Sequence, residues 1–373
     1  MKTLPNELIL PPRTTFKKGA ILNLLKECAV FGKRGLLIHG RSFAAGGALQ
    51  KIAETGASTV SVRTWQHTSG EPTLDHLDHV LSVAREHRAE WIAGVGGGSV
   101  IDLAKACAGL MNAPLPVVSY HDGAHVPSSG IPFVVAPTTA GTGSEATIVC
   151  VLTNGRTNVK KSFRQQSFMA RLIILDPDLL AGSPPGVIAN SGMDAFTQAI
   201  ESYVSTGSSW LTDQFSLKGL AMIASSIEAV FRDSASEKAG DLLMGSYLAG
   251  LALSNARLGI VHGLAHPLGA RFDVPHGLAC AVCLPHAIEF NREDMGVKYT
   301  IMSETVGGDL LSVTNRLIED FSIRSPFAGK TITDREKVIE ETLASGSTAA
   351  NPRKVSAADV EYLLDRIFNL HSS

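Results

Sequence analysis

No stretch of this sequence approaches the ~20 uninterrupted apolar residues that a membrane-spanning helix requires, so a bilayer-spanning protein is not expected. The opening MKTLPNELILPPR has no apolar run of signal-peptide length, and a cytoplasmic protein is the expectation. Charge of one sign is also scarce. The 33 basic and 35 acidic residues leave a formal net charge of -2, and the basic ones are scattered, which argues against a nucleic-acid partner. Cysteine is limited to Cys28, Cys107, Cys150, Cys280 and Cys283, mostly in apolar contexts that suit reduced thiols in a cytosol. Cys280 and Cys283 form a C-x-x-C, but there is no second pair for a zinc knuckle and no redox-motif setting, so both read as core residues of an apolar helix. Internal repeats, low-complexity tracts and a G-x-G-x-x-G fingerprint are all absent.

What is present is a well-buried globular chain, 45% hydrophobic, 18% charged and with 35 glycines. Its 373 residues are many for one core, and two domains are expected. In the first half, strand-like runs at 34–40, 57–65, 89–99 and 132–139 alternate with helical segments. That alternation predicts βαβ units on a mostly parallel sheet. Beyond the Gly-Ser-Pro-Pro at 182–185 the spacing predicts helix after helix: 188–204, 210–231, 236–256, 261–269, 277–290, 296–304, 310–321, 333–343 and 357–369. The predicted architecture is an α/β nucleotide-binding domain with a Rossmann-like parallel sheet over 1–183, then an all-α helical domain over 184–373.

Two glycine-rich turns follow predicted strands. WIAGVGGGSVIDLAKACAGL (91–110) sets Gly96, Gly97 and Gly98 between a strand and a helix whose N-cap is expected at Ser99. Free N–H groups at such a start suit a phosphate. PTTAGTGSEAT (137–147) follows another strand with small hydroxyl and glycine residues. Two such turns at strand ends of one sheet favour a dinucleotide crevice over plain tight connections.

A second constellation lies in the helical half. Asp194 and Gln198, four apart, share an inward helical face, where a lone carboxylate is costly unless paired. His262 and His266 are also four apart, and His276 opens the next apolar helix. One carboxylate with two or three imidazoles suits Zn2+ or Fe2+, provided distant ligands converge.

These stretches, together with DPDLL, NARLGIVHGLAHPLG, DVPHGLACAVCLPH and NPRKVS, run in order from about residue 90 to 356 and resemble the iron-containing (group III) alcohol dehydrogenase family, whose fold is shared with dehydroquinate synthase. The resemblance implies that Gly96, Gly97, Gly98, Ser99 and Asp102 form the pyrophosphate turn and its helix. It implies Thr138, Thr139 and Thr142 for the loop around the nucleotide, and Lys160 near the cofactor ribose. Asp194, His262 and His276 match three metal ligands, while His266 matches a histidine close to the nicotinamide that is not a ligand. Gln198 departs from the family, which has His there. Three arrangements remain open: a three-ligand site with Gln198 as weak fourth ligand or supporting donor, a site without metal, and a fourth ligand from elsewhere. Where NAD-preferring relatives carry Asp, this chain has Gly40 followed by Arg41 and Ser42. Loss of a carboxylate and gain of a cation favour NADP(H) over NAD(H), the plain alternative being a solvated arginine.

The function expected is hydride transfer between NAD(P)(H) and a small alcohol or aldehyde in a crevice between the domains. A divalent metal would polarise the substrate oxygen, and His266 would relay the proton. The pocket is expected near Tyr120, His121 and Asp122, and a homodimer or higher homo-oligomer is expected through an N-terminal edge strand. A dehydroquinate synthase-like lyase is the first rival, but the metal-side segments offer it mainly Arg257 and Arg271. A metal-free NAD(P)-binding protein is the second.

Overall fold

The structure is a computed structural model and describes residues 2–56, 60–68, 70–157 and 159–368. It divides into two compact units: Leu10–Ser183, and Pro184–Ser373 together with the segment ending at Ile9. That segment is tied to the helical unit by backbone pairing of Lys2 with Ser209 and by Asn255, whose side chain accepts from Ile9 N at 2.7 Å and donates to Ile9 O at 2.9 Å.

The first unit is a six-stranded, all-parallel sheet in the order β1 (Thr14–Phe16), β8 (Leu172–Leu175), β5 (Phe133–Pro137), β4 (Trp91–Gly96), β2 (Arg34–Gly40), β3 (Ser61–His67). Helices α1 (Leu24–Cys28), α2 (Arg41–Ala45), α3 (Ala48–Gly56), α4 (Leu74–Glu86), α5 (Gly98–Leu110) and α6 (Val117–His121) connect the strands. Central β4 is buried at every position, as the run WIAGVG requires of a strand covered on both faces, whereas edge strand β3 is largely exposed. The expected strand over 57–65 corresponds to β3; its residues 57–59 lie outside those described.

An antiparallel hairpin, β6 (Val149–Asn154) with β7 (Val159–Arg164), was not expected from the sequence. Its β7 reads VKKSFR, too polar to stand out as a strand, and its register comes from pairing Val149 with Arg164 through to Asn154 with Val159. A local hydrogen bond at the turn helps, Asn154 Oδ1 accepting from Arg156 N at 3.1 Å.

The second unit is helical: α7 (Pro185–Val204), α8 (Trp210–Arg232), α9 (Ala239–Ala256), α10 (Ile260–Phe272), α11 (His276–Met295), α12 (Val297–Val306), α13 (Leu310–Asp320), α14 (Arg335–Ala344) and α15 (Ala357–Phe368). These follow the spacing in the sequence; residue 369 of the last expected helix lies outside those described. Proline opens α7, where a missing N–H costs nothing. Ser209 caps α8 with a reciprocal Thr212 bond, and Asp273 closes α10 in the left-handed conformation. Among the described residues no single helix is long and apolar enough to cross a membrane.

Candidate active site

In the α/β unit the strand order reverses between β2 and β4. The chain steps outward from β2 to β3, then returns to the other side of β2 with β4. The carboxyl ends flanking such a switch point are where open parallel sheets bind ligands. Here those ends are Gly40 and Gly96, brought level by the pairing of His39 with Val95. Gly40 is the N-cap of α2, and Arg41 and Ser42 are exposed in its first turn. The other turn packs directly on the second glycine-rich loop. A Cβ on Gly98 would lie 2.7 Å from Thr142 and one on Gly97 3.3 Å from Thr139, while Thr138 N donates to Gly96 O at 3.0 Å. The structure therefore brings Gly96, Gly97 and Gly98 together with Thr138, Thr139 and Thr142.

The N-cap of α5 is Gly97 and not Ser99. Gly97 O already accepts from Val100 N and Ile101 N at 3.0 and 3.1 Å, which places Ser99 inside the first turn. Asp102 spends its carboxylate on protein donors, Ser144 Oγ on one oxygen and Val151 N at 2.8 Å on the other. Beside it, fully buried Lys105 donates to Ser144 O (2.6 Å), Ser144 Oγ (2.9 Å), Thr147 Oγ1 (3.0 Å) and Val149 O (2.6 Å). Burial raises the Asp102 pKa and lowers that of Lys105, each partly offset by the other's charge. The pair pins the glycine-rich loop and the hairpin to α5. Lys160, on β7, is half-buried and pairs with Glu71 at 3.0 Å.

Tyr120 and His121 do not line a loop. They are buried in α6, where Tyr120 Oη accepts from Leu115 N and His121 Nε2 lies 3.1 Å from Val159 O. Five-residue α6 packs them inward, which short-range reading of PVVSYHDG could not show.

In the helical unit three helices converge. α7 carries Asp194, Gln198 and Glu201; α10 carries His262 and His266; α11 starts at His276 and carries Cys280. The close approach of α11 to α7 depends on Gly277, where a Cβ would meet Asn190 O at 2.2 Å. The start of α10 is tied down by Asn351, the first residue of the NPRKVS stretch, whose Oδ1 accepts from Ile260 N at 3.2 Å and from Asn291 Nδ2 at 3.0 Å.

One ligand atom each from Asp194, His262, His276 and Cys280 lie within 4.8 Å of one another. His262 Nε2 is 3.3 Å and His276 Nε2 3.9 Å from Asp194 Oδ1. Cys280 Sγ is 3.9 Å from His262 Nε2 and 3.6 Å from His276 Nε2. Asp194, His262 and Cys280 are buried, while the His276 side chain is 22% exposed and forms the open side. His266 is half-buried, its ring stacked on that of His276 at 5.0 Å between centroids.

Glu201 orients the site, and the sequence reading missed it. Its Oε2 lies 2.6 Å from His262 Nδ1, and its Oε1 accepts from Val261 N at 2.6 Å. With Nδ1 committed to Glu201, His262 turns Nε2 towards Asp194. Yet Asp194 Oδ1 has no hydrogen-bond partner despite that 3.3 Å approach, because the two atoms are close but not aligned for a hydrogen bond. Burial pushes the Asp194 carboxyl up, but the neighbouring imidazoles of His262 and His276, with a smaller contribution from Gln198, outweigh it and hold it below its ordinary value. Gln198 is buried beside Asp194 on α7, and its Oε1 has no hydrogen-bond partner. A buried carboxylate oxygen left over among imidazole nitrogens and a sulfur fits a divalent cation.

The comparisons with known proteins agree with both halves of this picture. Residues 11–177 match the model of the family described as iron-containing alcohol dehydrogenase, and residues 188–368 match that of the Fe-containing alcohol dehydrogenase family, C-terminal. The chain belongs to the iron-containing alcohol dehydrogenase family. Among its relatives, alcohol dehydrogenase 4 of Saccharomyces cerevisiae is 34% identical over 293 residues, 76% of this chain and 75% of that protein. The crystal structure of a 1,3-propanediol oxidoreductase superposes with a TM-score of 0.91 at 28% identity, covering 97% of this chain and 99% of that one. A sulfoacetaldehyde reductase from Bifidobacterium kashiwanohense, solved in complex with NAD+, shares the fold with a TM-score of 0.90 at 23% identity, covering 97% and 98%. As a family member the chain is an oxidoreductase acting on CH–OH groups, moving a hydride between a nicotinamide cofactor and an alcohol or aldehyde. Of the two arginines named for the lyase alternative, Arg271 pairs with Glu341 at 2.7 Å.

Proposed function

We propose that this protein reduces small aldehydes, or oxidises the matching alcohols, with a divalent metal held by Asp194, His262 and His276 and with NADP(H) preferred over NAD(H). The observation that carries the metal site is the buried Asp194 Oδ1, without a hydrogen-bond partner 3.3 Å from a histidine nitrogen whose ring is fixed from behind by Glu201. A cation bound there supplies Lewis acidity towards a carbonyl or hydroxyl oxygen. The protein's own residues do the rest. Glu201 sets the His262 ring, Gln198 steadies the Asp194 carboxylate, and half-buried His276 leaves one side open to substrate. His266, stacked on His276, is placed to pass the substrate proton to solvent.

The dinucleotide lies across the carboxyl ends of β2 and β4, its phosphates on the Gly96–Gly98 turn and the Thr138–Thr142 loop. Thr138, Thr139 and Thr142 offer hydroxyls there, Lys160 a cation towards the ribose, and Asp102 holds the loop in shape. Exposed Arg41 beside Gly40 and Ser42, with no carboxylate at that position, supports the 2′-phosphate. Edge strand β1, with Phe16 46% exposed, supports a homodimer or higher homo-oligomer, and five buried cysteine thiols support a reducing cytoplasm.

The test is elemental analysis of protein purified without chelator, with aldehyde reduction followed before and after chelation and metal return. About one metal per chain, with activity lost and restored in step, is expected; full activity without metal overturns the reading. In the same preparation kcat/KM should favour NADPH over NADH, and Gly40→Asp should reverse the order. A wild-type preference for NADH would refute the Arg41 assignment. His266→Ala should alter the pH–rate profile, and an unchanged profile would remove the relay role.

A further inference from the structure

We infer that Cys280 is the fourth protein ligand of the metal, a thiolate that joins Asp194, His262 and His276 and leaves the exposed His276 side free for a substrate oxygen as a fifth donor. This rests on the metal site proposed above and deepens it.

Cys280 follows His276 by four residues on α11, so both side chains leave the same face of that helix. Its sulfur is fully buried and lies 3.6 Å from His276 Nε2 and 3.9 Å from His262 Nε2. Metal–ligand bonds of about 2.0–2.1 Å to nitrogen or oxygen and about 2.3 Å to sulfur, at tetrahedral angles, put neighbouring donor atoms about 3.3–3.6 Å apart. Four of the six separations run from 3.3 to 3.9 Å and all six lie within 4.8 Å, so a modest contraction brings the donor atoms to the corners of such a polyhedron. Cys283, also buried, is not part of the cluster.

The independent pointer is the pair of buried atoms without partners, Asp194 Oδ1 and Gln198 Oε1. They show that the pocket is not closed by protein hydrogen bonds alone. The Cys280 sulfur, within 3.9 Å of both imidazole nitrogens, is the donor that the geometry offers for the fourth corner. On metal binding the thiol proton leaves to solvent and the sulfur lone pair enters the coordination bond. A donor set of one thiolate, two imidazoles and one carboxylate is softer than an all-imidazole and carboxylate set, and it selects Zn2+ over harder cations.

Cobalt(II) in place of the native ion reads the ligand directly, because a thiolate bound to Co2+ gives a near-ultraviolet charge-transfer absorption that oxygen and nitrogen donors do not. The full-length protein loaded with one Co2+ per chain should show this band. Cys280→Ser should lose it and bind Co2+ and Zn2+ at least ~10-fold more weakly, the loss that even an outer partner's removal causes. Cys283→Ser should keep both the band and the affinity. Stoichiometric Co2+ without the band in the wild type, or a band that persists in Cys280→Ser, would overturn the thiolate while leaving the metal site standing. No Co2+ uptake by the wild type, or uptake unaffected by His262→Ala, would instead overturn the metal site itself. Circular dichroism of each variant separates a lost ligand from a lost fold.

Discussion

The two units each bury a charged cluster, and the clusters are finished in opposite ways. In the α/β unit, Lys105 reaches four oxygens and Asp102 fills both of its own, so the group is closed by the protein. In the helical unit, Asp194 keeps an oxygen without a hydrogen bond and Gln198 keeps a carbonyl likewise, although both side chains are as buried as the apolar core around them. A closed cluster holds loops in place. An open one offers a position to something that is not protein, because buried polar atoms left without hydrogen bonds are costly.

Breaking this contrast should give effects of different kind as well as size. Asp194→Asn should abolish metal binding and lower kcat/KM by about 10³-fold, the loss of several kcal/mol of charge stabilisation. Metal-free Asp194→Asn should also melt below metal-free wild type, since a carboxylate that its imidazole neighbours hold ionised has been removed. Lys105→Ala should act on stability above all. By leaving Asp102 buried without its cation it should cost about 3–5 kcal/mol in urea unfolding of the α/β unit.

Glu145 sharpens the comparison through pH. Burial raises its carboxyl from the usual value of 4.5 to about 7, the neighbouring charge of Lys105 offsetting part of the effect and that of Asp102 adding to it. The folded state therefore holds a proton that the unfolded chain has released, and stability should fall as pH rises from about 4.5 to about 7, by up to about 3 kcal/mol. Urea titrations across that window should show the decline, and Glu145→Gln should flatten it. The smallest effect is expected at Glu201→Gln. The amide can still accept from Val261 N, but the ring of His262 is held less firmly. Metal affinity should weaken about 10–100-fold with unfolding unchanged, measured by competition with a chromogenic chelator.

Much of this was readable in the chain before folding. Segments with apolar spacing of three and four became α7 to α15 within a few residues of their expected limits, because each helix hides one face and that need is written locally. Asp194, His262 and His276 were readable too, as polar residues in segments otherwise too apolar to carry them. Residues whose meaning depends on a partner far along the chain were not. Glu201 looked like an ordinary helical acid until α10 placed His262 against it, 61 positions on. Cys280 read as core, which by burial it is; only the direction of its sulfur separates it from Cys283. The hairpin of β6 and β7 was hidden by two lysines whose strand is stabilised by its neighbour rather than by its own composition.

The sequence by itself determined the elements, the family and the atoms available for chemistry, since periodicity, turn residues and donor types are local properties of the chain. Tertiary structure alone decided which donors share a point: three helices had to cross, at a glycine that admits the crossing, before a carboxylate, two imidazoles and a thiol came within 4.8 Å. No local pattern encodes that distance, because it is set by the packing of surfaces far apart in the chain.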